Sequence, residues 1–80
     1  MDELIIKFEP FTLKQTIFIK HEDGSIGRKE IPQSELTSFI SLHPDICKIH
    51  FFGNEEFVSK IKEECITKYK MNNIDFCVNC

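Results

Sequence analysis

One stretch near the middle of the chain constrains the fold more than any other. From Ile46 to Phe52 apolar residues alternate with Lys48 and His50, Gly53 follows, and an amphipathic run extends from Glu55 to Tyr69. Alternation is typical of a β-strand with one buried face, and an apolar repeat of three to four residues is typical of a surface helix. The stretch therefore predicts a strand that turns at Gly53 directly into the longest helix of the protein.

The N-terminal part of the chain contains three shorter strand patterns. Leu4 to Phe8 is a short apolar run that contains Lys7. Apolar and polar residues alternate from Gln15 to His21 and, less regularly, from Ser25 to Ile31. Asp23 and Gly24 lie between the second and third patterns, and an Asp-Gly pair is typical of a hairpin turn. Three consecutive strands are therefore expected, and the second and third should form a hairpin.

Two further elements complete the pattern. After Pro32 the apolar period changes, so a helix is expected with Ser34 as its N-cap and with His43, the residue before a proline, as its end. Alternation resumes at Ile74 and predicts a last strand. The 80 residues are expected to form one domain, 1–80, in the order βββαβαβ.

This order of elements resembles the core of the ribonuclease H-like and actin-like folds. The resemblance implies a mixed sheet with the strand order 3-2-1-4-5. Both helical connections then cross the sheet in the same direction, and right-handed crossovers place both helices on one face. Because the central strand and the last strand alternate rather than being apolar throughout, the other face should be open. We therefore predict a two-layer α/β domain with two helices on one face of the sheet.

The catalytic carboxylates of ribonuclease H-like enzymes have no counterparts in this sequence. Those enzymes bind Mg²⁺ with several carboxylates, including one in the first strand and one at the end of the fourth. Here the first strand has Lys7 and then Glu9, and the fourth has His50 and Phe52. We therefore expect no catalytic residue, no metal and no other cofactor, and a protein that is not an enzyme.

The four cysteines do not form a recognisable metal site. Cys77 and Cys80 have the spacing of half a zinc site, but positions three apart on a strand face opposite sides. Cys47 and Cys65 fit the apolar faces of their elements and are expected to be small core residues. All four are expected to be reduced thiols in a cytosol, and metal binding by Cys77 and Cys80 stays open.

The open face of the predicted sheet carries the candidate binding residues. By alternation it displays Lys7, Phe18, Lys20, Lys48 and His50. Lysines around an exposed Phe can hold nucleic acid, because bases stack on the ring and ammonium groups contact phosphates. The same surface can bind a protein, and a net charge of −3 favours that interpretation.

The last predicted strand offers a second surface. Ile74, Phe76 and Val78 alternate along a segment whose single charged residue is Asp75, so the strand is a poorly protected sheet edge. We expect this edge to pair with a second copy of the chain, giving a homodimer, or with another protein.

Composition and local motifs indicate the type of genome that encodes the chain. The chain has no Ala, one Arg and nine Lys, as expected for a gene from an AT-rich genome. With Phe8-Glu9-Pro10-Phe11, Phe52-Gly53-Asn54, Phe57 and the run from Lys60 to Glu64, it resembles small uncharacterised proteins of phages and mobile elements of low-GC Gram-positive bacteria. The resemblance implies a phage or plasmid setting and no particular activity.

These observations together predict a function class. No apolar run approaches the roughly 18 residues of a membrane span, and the N-terminal Met-Asp-Glu-Leu lacks the basic flank of a signal peptide. We expect a cytoplasmic, non-enzymatic protein that binds a protein partner, for example a host factor or a defence component. The alternative is a small nucleic-acid-binding domain that uses the open sheet face.

Overall fold

The computed structural model of the chain describes residues 1–9, 14–43 and 45–78. Five strands, two α-helices and one 3₁₀ turn follow one another along these residues. In chain order they are β1 (Asp2–Glu9), β2 (Lys14–Lys20), β3 (Ile26–Pro32), the 3₁₀ turn (Gln33–Glu35), α1 (Leu36–Leu42), β4 (Ile46–Phe52), α2 (Glu55–Tyr69) and β5 (Asp75–Val78).

The five strands form one mixed sheet in the order β3-β2-β1-β4-β5. β1 and β2 pair antiparallel, as do β2 and β3, whereas β4 is parallel to β1 and β5 is parallel to β4. The predicted α/β fold with the strand order 3-2-1-4-5 and two helices is therefore confirmed. The strand bounds differ slightly from the expected ones, since β1 begins at Asp2 and β5 at Asp75.

The hydrophobic core lies between one face of the sheet and the two helices. Alternate residues of β1, β2 and β4 supply the sheet side of the core: Leu4, Ile6, Ile17, Ile49 and Phe51. The helices supply Leu36, Ile40, Phe57, Val58, Ile61 and Cys65. Burial of these side chains is the main stabilising contribution in a domain of this size, because each fully buried aliphatic or aromatic side chain contributes about 1.5–3 kcal/mol.

The junction between β4 and α2 is as tight as the sequence predicts. Gly53 has φ 147°, a left-handed conformation that residues with a Cβ rarely adopt. The next residue, Asn54, caps α2, and its Oδ1 accepts hydrogen bonds from the amides of Glu56 (2.8 Å) and Phe57 (3.2 Å). Lys70, with φ 54°, ends the helix. This turn carries the chain from the sheet into the helical layer.

The start of α1 differs from the expected one. Ser34 lies inside the 3₁₀ turn, and no side-chain hydrogen bond caps either the turn or α1. The expectation that Ser34 is an N-cap is therefore wrong. His43 ends α1 in an extended conformation, as its position before a proline predicts. No helix among the described residues is long and apolar enough to cross a membrane.

Candidate functional site: the open face of the sheet

The open face consists of the alternate strand residues that point away from the helices. The strand register aligns most of them in three rows, each read from β3 towards β5, and Pro32, Lys14 and Glu9 lie beyond the third row. The first row contains Ile26, Lys20, Glu3, Lys48 and Asp75; the second contains Arg28, Phe18, Ile5, His50 and Cys77; the third contains Glu30, Thr16, Lys7 and Phe52. Neither helix contributes to this surface.

All five of the predicted binding residues belong to these rows. Lys20 and Lys48 lie in the first row, Phe18 and His50 in the second and Lys7 in the third. The Nζ atom of Lys7 lies 5.7 Å from the centroid of the Phe18 ring, within the range of a cation–π contact. The alternation of the strands therefore brings together the residues that the sequence singled out.

The first row has alternating charges along its length. Lys20, Glu3, Lys48 and Asp75 follow one another on neighbouring strands. Lys48 Nζ lies 3.9 Å from Asp75 Oδ2, and the two side chains are 37% and 72% exposed. A pair this exposed contributes little to stability, about 0–1 kcal/mol, because water screens it. These charges therefore remain accessible to a partner.

Two separate sets of hydrogen bonds between histidines and carboxylates lie at the start of β1, and the sequence did not predict them. Asp2 Oδ2 lies 3.2 Å from His21 Nδ1 and 3.1 Å from His43 Nε2, and Glu3 Oε1 lies 3.1 Å from His50 Nε2. The hydrogen bond with His43 lowers the pKa of Asp2, and the hydrogen bond with His50 lowers the pKa of Glu3. Asp2 and Glu3 together therefore contact all three histidines of the chain.

The charges of the open face nearly balance. The three rows contain four cationic side chains, Lys7, Lys20, Arg28 and Lys48, and three carboxylates, Glu3, Glu30 and Asp75. Arg28 also pairs with Glu30 at 3.0 Å. A nucleic-acid-binding surface needs an excess of positive charge, because its affinity comes largely from phosphate contacts. The balance of charge on this face suits a protein surface better.

The predicted edge-strand residues point mostly into the protein. Phe76 is half-buried, its ring stacks on Phe51 with a centroid distance of 6.2 Å, and Ile74 also packs against the core. Val78 is 38% exposed. β5 does lie at the edge of the sheet. Pairing through this edge stays a prediction, and it would use the backbone of β5 more than these three side chains.

The cysteines occupy different environments. Cys47 is half-buried and its thiol donates to the carbonyl oxygen of Asp2 at 3.4 Å, while burial raises the pKa of the Cys65 thiol to about 11. Cys77 is disulfide-bonded, so the expectation of reduced thiols is wrong for this residue. Cys80 lies outside the described residues. Among the residues that the structure describes, no three His, Cys, Asp or Glu side chains form a group that could hold a metal ion.

Two polar features lie in the helical half of the molecule. A groove of about 540 Å³ runs between the 3₁₀ turn, α1 and α2, and Thr37 Oγ1 donates across it to Glu64 Oε1 at 3.0 Å. Gln15 is fully buried, and neither its amide nitrogen nor its amide oxygen has a hydrogen-bond partner among the described residues. The sequence did not predict this burial, since glutamine is usually exposed.

Comparisons with known proteins assign no family to the chain. No family model, curated protein or solved structure matches it.

Proposed function

We propose that the protein is a non-enzymatic interaction module that binds a protein partner through the open face of its sheet. The observation that carries this proposal is a five-stranded sheet with both helices on one face, which leaves the three rows of the other face available. A sheet face with no helical layer and with apolar residues among its charges is typical of an interaction surface.

The composition of the face supports a protein partner. Its centre contains Ile5 and Phe18, and Phe52 lies in the neighbouring row; all three side chains are half-buried. Lys7 and Lys48 lie beside them with their ammonium groups directed to an aromatic ring and a carboxylate, respectively. Apolar residues at the centre and charges around them are the usual arrangement of a protein interface, where the charges select the partner.

The resemblance to phage and mobile-element proteins suggests the class of partner. A host factor or a component of a host defence system would be a cytoplasmic protein that such a module binds and blocks. This part of the proposal rests on the sequence motifs rather than on the geometry of the face.

A nucleic-acid ligand is the second candidate. The contact that favours it is Lys7 above the ring of Phe18, since a base could stack on that ring while the ammonium group meets a phosphate. The near balance of charge on the face argues against it. Nucleic-acid binding would also weaken steeply with salt, because phosphate contacts release counterions.

The test is affinity capture from a lysate of a low-GC Gram-positive bacterium, with and without nuclease treatment. The wild-type protein is compared with the double variant Phe18→Ala/Lys48→Glu, and Lys60→Glu serves as a control because Lys60 is exposed on α2. We expect a nuclease-resistant protein partner that the wild type and the control capture and the double variant loses. Capture that is unchanged in the double variant would refute the open face as the site. Partners lost on nuclease treatment would favour nucleic acid.

A further inference from the structure

The order of charges along the first row is complementary to itself under a twofold rotation. Lys20, Glu3, Lys48 and Asp75 alternate in sign from β2 to β5. When two sheets pack face to face about a twofold axis parallel to the strands, each row lies opposite the same row of the second copy in reversed order. An alternating row of this kind then places opposite charges in register, provided that the axis passes between two strands.

We propose that the partner that occupies the open face is a second copy of this chain, related by a twofold axis that runs between β1 and β4. This inference rests on the proposed function: the second copy occupies the face in the free protein, and a partner that binds the same face more tightly displaces it. The axis places Glu3 opposite Lys48 of the second copy, and Lys20 opposite Asp75 of the second copy. Symmetry repeats each pairing, so the dimer contains two contacts of each kind.

The other two rows fit the same axis. In the second row Ile5 lies opposite His50 of the second copy, and in the third row Lys7 lies opposite Phe52. A lysine against an aromatic ring forms a favourable cation–π contact, which resembles the contact of Lys7 with Phe18 within one chain. The strand register places no pair of like charges opposite each other in these contacts.

An axis that runs along a strand, instead of between two strands, would bring like charges together. An axis along β1 would place Glu3 opposite itself and Lys20 opposite Lys48, and an axis along β4 would place Lys48 opposite itself. Like charges brought together in an interface raise the free energy of the complex. Axes that pass between two strands avoid these contacts, and among them the axis between β1 and β4 forms the most pairs of opposite charge. An axis between β2 and β1 would pair Lys20 with Glu3 but would leave Lys48 opposite Ile26.

The area of the face indicates how tightly two copies can associate. Five strands spaced about 4.8 Å apart and roughly 20 Å long give a flat face of about 500 Å² on each copy. With the axis between β1 and β4, β3 lies opposite no strand of the second copy, so about four fifths of each face is buried, roughly 800 Å² in total. This is less than the roughly 1,200 Å² at which standard-size protein interfaces begin. We therefore expect a weak dimer that dissociates on dilution and in high salt, because the ion pairs lie near the surface.

Sedimentation velocity from about 10 to about 500 μM at low salt measures the dimer. Lys48→Glu places Glu3 opposite a carboxylate in two contacts, and Glu3→Lys places Lys48 opposite an ammonium group in two contacts. We expect each variant alone to associate about tenfold more weakly than wild type or worse. An equimolar mixture of the two should associate as wild type does, since the heterodimer restores opposite charges at every contact.

Controls separate a charge effect from a folding effect. Far-UV circular dichroism checks that both variants fold, and Lys60→Glu makes the same charge change on the helical face and should leave the dimer intact. A wild-type protein that stays monomeric at the highest concentration would overturn the inference. Variants that dimerise as strongly as wild type would also overturn it, because that result is expected for pairing through β5. If the protein is monomeric and its open-face variants lose a partner captured from the lysate, the inference of a dimer is wrong. The proposed function is then unaffected.

Discussion

Replacing Gly53 with alanine should destabilise the protein strongly. Gly53 has φ 147°, and holding a residue with a Cβ in such a conformation costs about 1–3 kcal/mol. The added Cβ would also lie 2.7 Å from the Cβ of Phe8. Phe8 cannot easily move, because its ring stacks on that of Phe57 with a centroid distance of 4.1 Å. Overpacking of this kind costs a further 1–3 kcal/mol or so.

The two effects together lower the free energy of unfolding by about 2–6 kcal/mol, a large part of the roughly 4–12 kcal/mol expected for 80 residues. Urea denaturation followed by far-UV circular dichroism measures this change. Gly27→Ala is the matched control, since no described atom beyond its two chain neighbours lies within 4 Å of the added Cβ and its φ is not positive. If Gly53→Ala and Gly27→Ala shift the midpoint of urea denaturation equally, the junction between β4 and α2 does not have the strain assigned to it.

Three further predictions concern buried and charged groups. Gln15→Met should raise the free energy of unfolding by about 1–3 kcal/mol, because it removes a buried amide without hydrogen-bond partners; a decrease in the same urea assay would contradict this. The pKa values of Asp2 and Glu3 are lower in the folded protein than in the unfolded chain, so stability should hold above about pH 4 and fall as the pH drops through the folded values. Asp2→Asn should make that fall shallower, and an unchanged slope would argue against the histidine contacts. With iodoacetamide at pH 8, the buried thiol of Cys65, whose pKa is about 11, should react only on unfolding and after Cys47, as mass spectrometry of the labelled peptides would show.

The sequence predicted those features that depend on local periodicity. Gly53 and Asn54 indicated the turn and the cap of α2, and both have the expected roles in the structure. The open face was also predictable, because a side-chain period of two decides which strand residues share a face. The resemblance of the element order to a known fold gave the strand order, and right-handed crossovers then placed both helices on one face. Phe18 and Lys48 could therefore be assigned to the other face without coordinates.

Features that depend on register across the sheet were not predictable. The contact between Asp2 and His43 joins residues 41 positions apart, and it requires β1 to begin two residues before the expected start. Local patterns carry no information on which rows of neighbouring strands align. The alternating charges of the first row became visible only when the register placed Glu3 between Lys20 and Lys48. The burial of Gln15 was missed because residue polarity alone predicts exposure.

Concentration-dependent NMR spectra test most directly whether the open face is the interface. Backbone amide and isoleucine methyl signals are recorded between about 20 μM and about 1 mM, where a weak dimer forms. We predict that signals of Ile5, Phe18 and His50 shift together with concentration while those of α2 stay constant. Shifts confined to β5 or to α2, or spectra that do not change with concentration, would contradict the assignment of the open face as the surface where two copies meet.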